Sequence, residues 1–227
     1  LSAPDKKATF AAAQSGRGTP ELQSTGMDFI DKNNALDRIS TMPYVVVELG
    51  CGNSKVKPEA IGIDMVDQPA VDIIANAEHG LDFLEDACVD ELHSYHFLEH
   101  LNDTGQIFSE IYRVLKPGGK CIGAVPHFSN PYYYSDYTHR RFFGLYSFAY
   151  FSKKQTYMRR VPGFYNELDF RATRIKLVFY SPFKLINVFR KIYILIFNLS
   201  PFMQEMYESS FTGIFPVHEI VFELEKV

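Results

Sequence analysis

The sequence has no tryptophan, only three cysteines and no surplus of positive charge. Cys51, Cys88 and Cys121 are odd in number and lack metal-ligand spacing, which argues against a disulfide framework or a cysteine-based metal centre. They read as free thiols of a reducing, cytoplasmic compartment. Lys and Arg number 23 against 27 Asp and Glu, a net charge of −4. No global basic field therefore recruits nucleic acid or an anionic membrane, and any anion site is local. No apolar run is long enough to span a bilayer. The nearest, residues 183–202, is interrupted by Arg190 and Lys191, whereas a spanning helix needs about 20 apolar residues. A peripheral contact of that stretch with lipid or a partner stays open, as does the oligomeric state.

The 227 residues, 46% of them hydrophobic, suit one α/β domain with a substantial core. Residues 1–26 are small and polar with one phenylalanine. They read as a flexible leader or appended tail with no apolar signal-peptide run, which makes Met27 a candidate start. The expected domain is 27–227.

From Tyr44 onward, apolar strand-like runs alternate with helical or loop stretches, the pattern of a mostly parallel sheet covered by helices on both faces. Strands are expected at 44–49, 60–64, 71–75, 90–95 and 120–126. A helix at 104–115 carries Ile107, Ile111, Val114 and Leu115 on one face and is stopped by Lys116-Pro117-Gly118-Gly119. Residues 127–169 are dense in aromatics and short polar residues and read as a loop-like cap. Two closing strands, 170–180 and 218–227, flank an amphipathic helical insertion at 182–210, whose apolar side is expected to face the core.

The stretch "VVVELGCGNSK" (45–55) runs a buried strand into Gly-x-Gly, which lets backbone approach a ligand at a strand's carboxyl end. A nicotinamide fingerprint would add a third glycine, a following helix and an acid about 20 residues on. Here Asp64 ends the next strand about 14 residues after Gly50. This pattern resembles the first motif and ribose-binding acid of class I S-adenosylmethionine-dependent methyltransferases. "NAEHGLDFLEDACVDELHSYHFLEHL" and "IYRVLKPGGK" follow in that family's order, so the resemblance covers about Tyr44 to Val125. It implies a Rossmann-like, mostly parallel seven-stranded sheet and S-adenosylmethionine as cofactor. "DYTHRRFF" and "FPVHEIVFEL" resemble a branch associated with surface-glycan and lipopolysaccharide biosynthesis.

Carried over by position, the resemblance implies that Glu48, Gly50, Cys51 and Gly52 line the methionine end of the cofactor and that Asp64 accepts the ribose hydroxyls. Met65 would pack on adenine, Asn76 and Ala77 would meet its edge, and Ser94 and Tyr95 would pass beneath the sulfonium. Two departures stand out. Residues 52–60 leave no room for the family's first helix, so the methionine carboxylate would depend on loop amides or Lys55. Asn76 also replaces the commoner acid. Bland readings remain beside these: Asp64 as a cap, Asn76 as a turn residue, and Tyr95 and His96 as packing.

Methyl transfer to an alcohol benefits from a base, and histidine titrates near neutrality. The candidates are His139, His127 and His100. Asp136 is a candidate to orient a histidine or to bind sugar hydroxyls, Tyr134 to bind substrate, and Arg140 and Arg141 to hold a phosphate or carboxylate. The alternative for this cluster is a cap whose charges pair with one another. No metal site is expected, since His93, His96 and His100 at strand-to-helix spacing need not converge. The reading is an O-methyltransferase of a sugar, sugar nucleotide or related phosphorylated small molecule. The rivals are a small-amine N-methyltransferase and a catalytically inactive cofactor-binding partner module.

Overall fold

The structure, a computed structural model, describes residues 29–227; the expected leader lies outside them. The strands are β1 (Phe29–Asp31), β2 (Val46–Leu49), β3 (Ile61–Asp64), β4 (Ile73–Ala75), β5 (Val89–Tyr95), β6 (Leu115–Pro126), β7 (Phe170–Val178) and β8 (Glu219–Lys226). The α-helices are α1 (Ala35–Thr41), α2 (Thr104–Val114), α3 (Lys184–Phe197) and α4 (Pro201–Ser210). All eight strands form one sheet in the order β1-β4-β3-β2-β5-β6-β8-β7. β4, β3, β2, β5 and β6 are mutually parallel, and β1 and β8 run against their neighbours. The expected α/β, Rossmann-like, mostly parallel architecture is present, with one strand more than the seven expected. The extra strand is β1, three residues long and too short to carry a pattern.

Central strands bury both faces, so β2 and β3 read as apolar runs, each broken only by one acid. Every residue of β2 and β3 is buried, Glu48 and Asp64 included. α2 buries Ile107, Phe108, Ile111 and Val114, and Asp103 caps it by accepting the Gln106 N–H at 3.0 Å. Leu115 already belongs to β6, because the chain passes from helix to strand without a loop. Between 127 and 169 the backbone forms short 3₁₀ turns, at Tyr133–Ser135 and Leu145–Phe151, and an isolated bridge between His127 and Phe143. Rings hold this segment down: Phe148 lies 4.6 Å from Phe222, and Phe151 lies 4.2 Å from Phe108. The insertion is two helices. α4 buries Gln204, Glu205 and Tyr207, whereas in α3 Phe197 alone is fully buried.

Asp72 ties the β1–α1 segment and the loop after β2 to the sheet. It is 5% exposed and accepts from the Gly62 N–H, Lys55 Nζ (2.8 Å), Arg38 Nη1 (3.0 Å) and Asn33. Burial opposes its charge, but these four donors prevail and hold its pKa down at about 2. Its stabilisation is present above the ordinary pKa of 3.8 and is lost as pH falls towards 2. Asp72→Ala, which strands the Lys55 ammonium, should cost about 3 kcal/mol or more at pH 7. Denaturant melts should show the gap to wild type narrowing below pH 4. A constant gap would deny the charge its role.

Candidate active site

The sheet order reverses at β2 and β5. The chain runs outward from β2 to β3 and β4, then returns to β5 on the other side, and open α/β sheets bind ligands at the carboxyl ends beside such a reversal. Two loops meet there. Gly50 has φ +66°, and a Cβ on it would stand 2.6–2.8 Å from the Phe97 side chain, so glycine is required where Phe97 leans on the loop. Gly52 has φ +55°, and a Cβ there would meet no protein atom within 4 Å. The first glycine faces a neighbour and the second faces open space.

Polar contacts fix this loop from below. Asp64 accepts the Gly52 N–H through Oδ2 at 3.0 Å and the Val66 N–H through Oδ1 at 2.9 Å. Each carboxylate oxygen keeps a second lone pair for a ligand hydroxyl. Glu48, fully buried, accepts the Val56 N–H at 2.7 Å. Between β2 and β3 there is no helix, as the short spacing anticipates. Lys55, considered for the methionine carboxylate, is drawn instead to Asp72 and is 15% exposed, so loop amides are left for that task.

The remaining cofactor candidates take varied positions. Met65 is 63% exposed at the end of β3. Asn76 accepts the Glu78 N–H at 3.0 Å, capping the 3₁₀ turn that holds buried Ala77. Cys51 is buried with its thiol towards the Ala70 carbonyl. The Ser94 hydroxyl is fully buried with no hydrogen-bond partner, the kind of orphan group a ligand or water satisfies. Tyr95, its pKa raised by burial, neighbours His93. Open space at Gly52, spare acceptor capacity on Asp64 and the orphaned Ser94 suit a polar ligand laid across β2, β3 and β5.

Past Phe97 the chain makes a 3₁₀ turn carrying Glu99 and His100, and the cap brings Asp136 and His139 to it. The Arg140 and Arg141 N–H groups both bond to the Glu99 carbonyl, at 2.7 and 3.1 Å. His139 donates Nδ1–H to the Tyr133 carbonyl at 3.1 Å, which leaves the lone pair on Nε2. That Nε2 stands 3.6 Å from Asp136 Oδ2 and 4.0 Å from Glu99 Oε1. Burial pushes the His139 pKa below 6.5, so it is neutral at pH 7. Thr138 gives its hydroxyl proton to Asp136 at 2.6 Å and therefore accepts from His100 Nδ1 at 2.9 Å. The Glu99 side chain is fully buried with no hydrogen bond to either oxygen. Among the described residues, Glu99, His100 and His139 offer ligand atoms within 4.8 Å of one another, a set with the chemistry to hold a cation.

His127 lies elsewhere. It is fully buried, its Nδ1 accepts the Ser129 N–H at 3.0 Å, and its Nε2 donates to Glu208 at 3.3 Å. With both nitrogens engaged it clamps the end of β6 to α4 and has no lone pair for a ligand, so it leaves the set of candidate bases. Tyr134 is 65% exposed and donates to the Phe128 carbonyl. Arg140 bonds to Asn102, and with Arg141 it lines a pocket of about 400 Å³ beside Thr104 and Phe142.

Two residues were not singled out as binding candidates from sequence. His96 has φ +52°, rare for a residue with a Cβ, at the end of β5. It bridges Glu219 (3.0 Å) and Glu99 (3.5 Å). Although burial disfavours the charge, the two carboxylates raise its pKa to about 9, so it is cationic at neutral pH. Arg190 of α3 is half-buried, and its electrostatic neighbours are Tyr132, Tyr193 and Tyr207. Burial pushes its pKa down. Its only sequence signal was the break it makes in an apolar run.

Residues 47–123 match a family model described as a methyltransferase domain. No curated protein matches the chain. Among solved structures, an S-adenosylmethionine-dependent methyltransferase from Archaeoglobus fulgidus is similar, with a TM-score of 0.51 and 15% identity over 85% of this chain and 93% of that one. One from Mesorhizobium loti gives a TM-score of 0.42 at 15% identity over 85% and 96%. A phosphoethanolamine N-methyltransferase from Haemonchus contortus, solved with phosphomonomethylethanolamine and S-adenosylhomocysteine, gives 0.46 at 17% identity over 85% and 51%. At these identities the archaeal likeness carries the fold alone, and the matched domain carries the chemistry. That domain lies across the sheet's reversal point, which makes the chain an enzyme with a methyltransferase domain at residues 47–123.

Proposed function

We propose that the protein methylates a hydroxyl of a small anionic acceptor, a sugar, sugar nucleotide or related phosphorylated compound. The observation that carries this reading is the neutral His139, its tautomer fixed by the Tyr133 carbonyl so that a basic Nε2 faces the Glu99–Asp136 cluster. When bound, S-adenosylmethionine supplies an electrophilic methyl group on a sulfonium. Gly50, Cys51 and Gly52 with Glu48 hold its methionine end, Asp64 its ribose, Met65, Asn76 and Ala77 its adenine, and Ser94 and Tyr95 border the sulfonium. His139 Nε2 takes the acceptor's proton, and Glu99 and Asp136 stabilise the imidazolium so formed. Arg140 and Arg141 attract the acceptor's anionic group from the adjoining pocket, while Asp136 and Tyr134 orient its hydroxyls. The likeness of "DYTHRRFF" to the surface-glycan branch supports a sugar.

A second reading has its own observation. The buried Glu99 carboxylate, which has the His96 ring at 3.5 Å but no closer donor, would also receive an ammonium, which favours a small-amine N-methyltransferase. Labelled methyl donor incubated with sugar phosphates, sugar nucleotides and small amines, followed by NMR of the product, separates the two. An N-methyl product overturns the O-methyl reading, and cofactor binding without turnover on any acceptor favours an inactive module.

For the cofactor, Asp64→Asn should weaken S-adenosylmethionine binding by roughly ten- to a hundredfold, the worth of a charge-assisted hydrogen bond. Gly52→Ala should weaken it too, since the added Cβ meets only the space assigned to the ligand. Calorimetry decides both, and unchanged affinity in folded variants would reject the assignment.

For the base, kcat/KM should fall on the acid side with a midpoint below pH 6.5, since His139 must be deprotonated and its pKa is lowered. His139→Ala should lose about 10²–10⁴ in turnover, and the acid limb with it, at nearly unchanged cofactor affinity. Insensitivity to chelators should accompany a proton-handling role for the cluster. A chelator-sensitive enzyme with a flat acid limb would point to a bound cation instead.

A further inference from the structure

We propose that the outer face of α3 is a docking surface for an anionic lipid bilayer, with the helix lying in the plane of the interface. α3 is an amphipathic helix turned inside out. Its inward side carries Arg190, Ile194 and Phe197 against the body of the protein, and its outward side is apolar. Leu185 is 83% exposed, Val188 61%, Phe189 62%, Ile192 50% and Leu195 71%. At 100° per residue these positions fall within one stripe about a third of the helix circumference wide. Leu199 and Phe202 continue the apolar surface past the helix end, at 75% and 57%, and Phe183 precedes it at 64%. Scattered exposed apolar residues are ordinary, but a contiguous face of this kind marks an interaction site.

Charge selects the occupant. From residue 170 to 204 the sequence holds six basic residues and no acidic one. Lys184 and Lys191, seven residues apart and both exposed, lie together along one flank of the stripe. The next acids turn away: Glu205 accepts from the Met158 and Arg159 N–H groups, and Glu208 meets His127 and the Leu145 N–H. A two-fold contact between copies would bring lysine-flanked apolar stripes together with no carboxylate to answer them. Anionic headgroups answer them, while the apolar stripe enters the acyl boundary, the arrangement of an interfacial helix. No helix among the described residues is long and apolar enough to cross a membrane. Fourteen residues rise about 21 Å, short of the ~30 Å core, so the helix lies along the surface. This inference is independent of the acceptor assigned above.

Flotation of the full chain with vesicles is the test. Binding is expected to vesicles of phosphatidylcholine and phosphatidylglycerol in equal parts, to be weaker with phosphatidylcholine alone, and to fall with salt. Leu195→Asp and Val188→Asp should abolish it. Lys184→Gln and Lys191→Gln should each weaken binding to the mixed vesicles by roughly fivefold, with cofactor affinity unchanged as the control for folding. Because both lysines are exposed, those variants keep the test decisive even where an aspartate disturbs the helix. Failure to float with the mixed vesicles would overturn the proposal, as would flotation indifferent to all four substitutions. Sedimentation showing a dimer that Leu195→Asp converts to monomer would assign the face to a second copy.

Discussion

The site rests on one steric contact, the Phe97 side chain pressed against Gly50. β2 and β5 are parallel neighbours whose chains leave in opposite directions, so their carboxyl ends open a crevice that needs a floor. A Cβ at residue 50 would lift Phe97 away. Without Phe97 seated, the following turn would not present Glu99 and His100 to the cap. The same contact therefore sets the loop that precedes Gly52 and the turn that meets His139. The left-handed His96, just before Phe97, is the backbone cost of that bend, held by the Ala124 carbonyl on its N–H and two carboxylates on its ring.

Much of the sheet was legible because buried parallel strands are largely apolar, as "YVVVEL", "AIGID" and the strand near 120–126 are; "DELHSY" breaks that rule, burying His93 and Ser94 beside Leu92. The glycine loop and the missing helix after it were legible from spacing. What was not legible depends on groups distant in sequence. β1 is held by pairing with β4 and by the salt link of Arg38 in α1 to Asp72, so three residues of pattern could not declare it. Lys55 looked available beside the glycine loop, but Asp72, seventeen residues on, claims it. Asn76 looked like an adenine contact, yet its side chain also has a local donor in the Glu78 N–H.

The histidines make the same point through protonation. His96, His100, His127 and His139 are alike in sequence, and three of them were offered as bases. Their surroundings separate them. His96 lies between two carboxylates and stays charged. His127 is sealed with both nitrogens bonded. His139 is desolvated, with one nitrogen committed to a carbonyl and the other turned towards acids. Hydrophobic period says nothing about which carbonyl or carboxylate a ring will meet, so tautomer and charge become readable only once the cap is folded over the turn.

The insertion shows how one apolar run divides its labour. α4 begins at Ser200, whose hydroxyl caps the Met203 N–H, and Pro201 fits its first turn, where no N–H is needed. It then spends its polar residues inward: Gln204 on the Ile175 carbonyl, Glu205 on the 158–159 backbone, Glu208 on His127. With those acids bound to the body, the run before them is left basic and apolar. Asn198 stitches only the end of α3 to β7, through the Leu177 N–H and carbonyl. A core-facing helix was the expectation for the whole insertion because apolar content normally points inward. Here α4 and the end of α3 already cover β7, so the outer stripe of α3 has no protein surface left to meet.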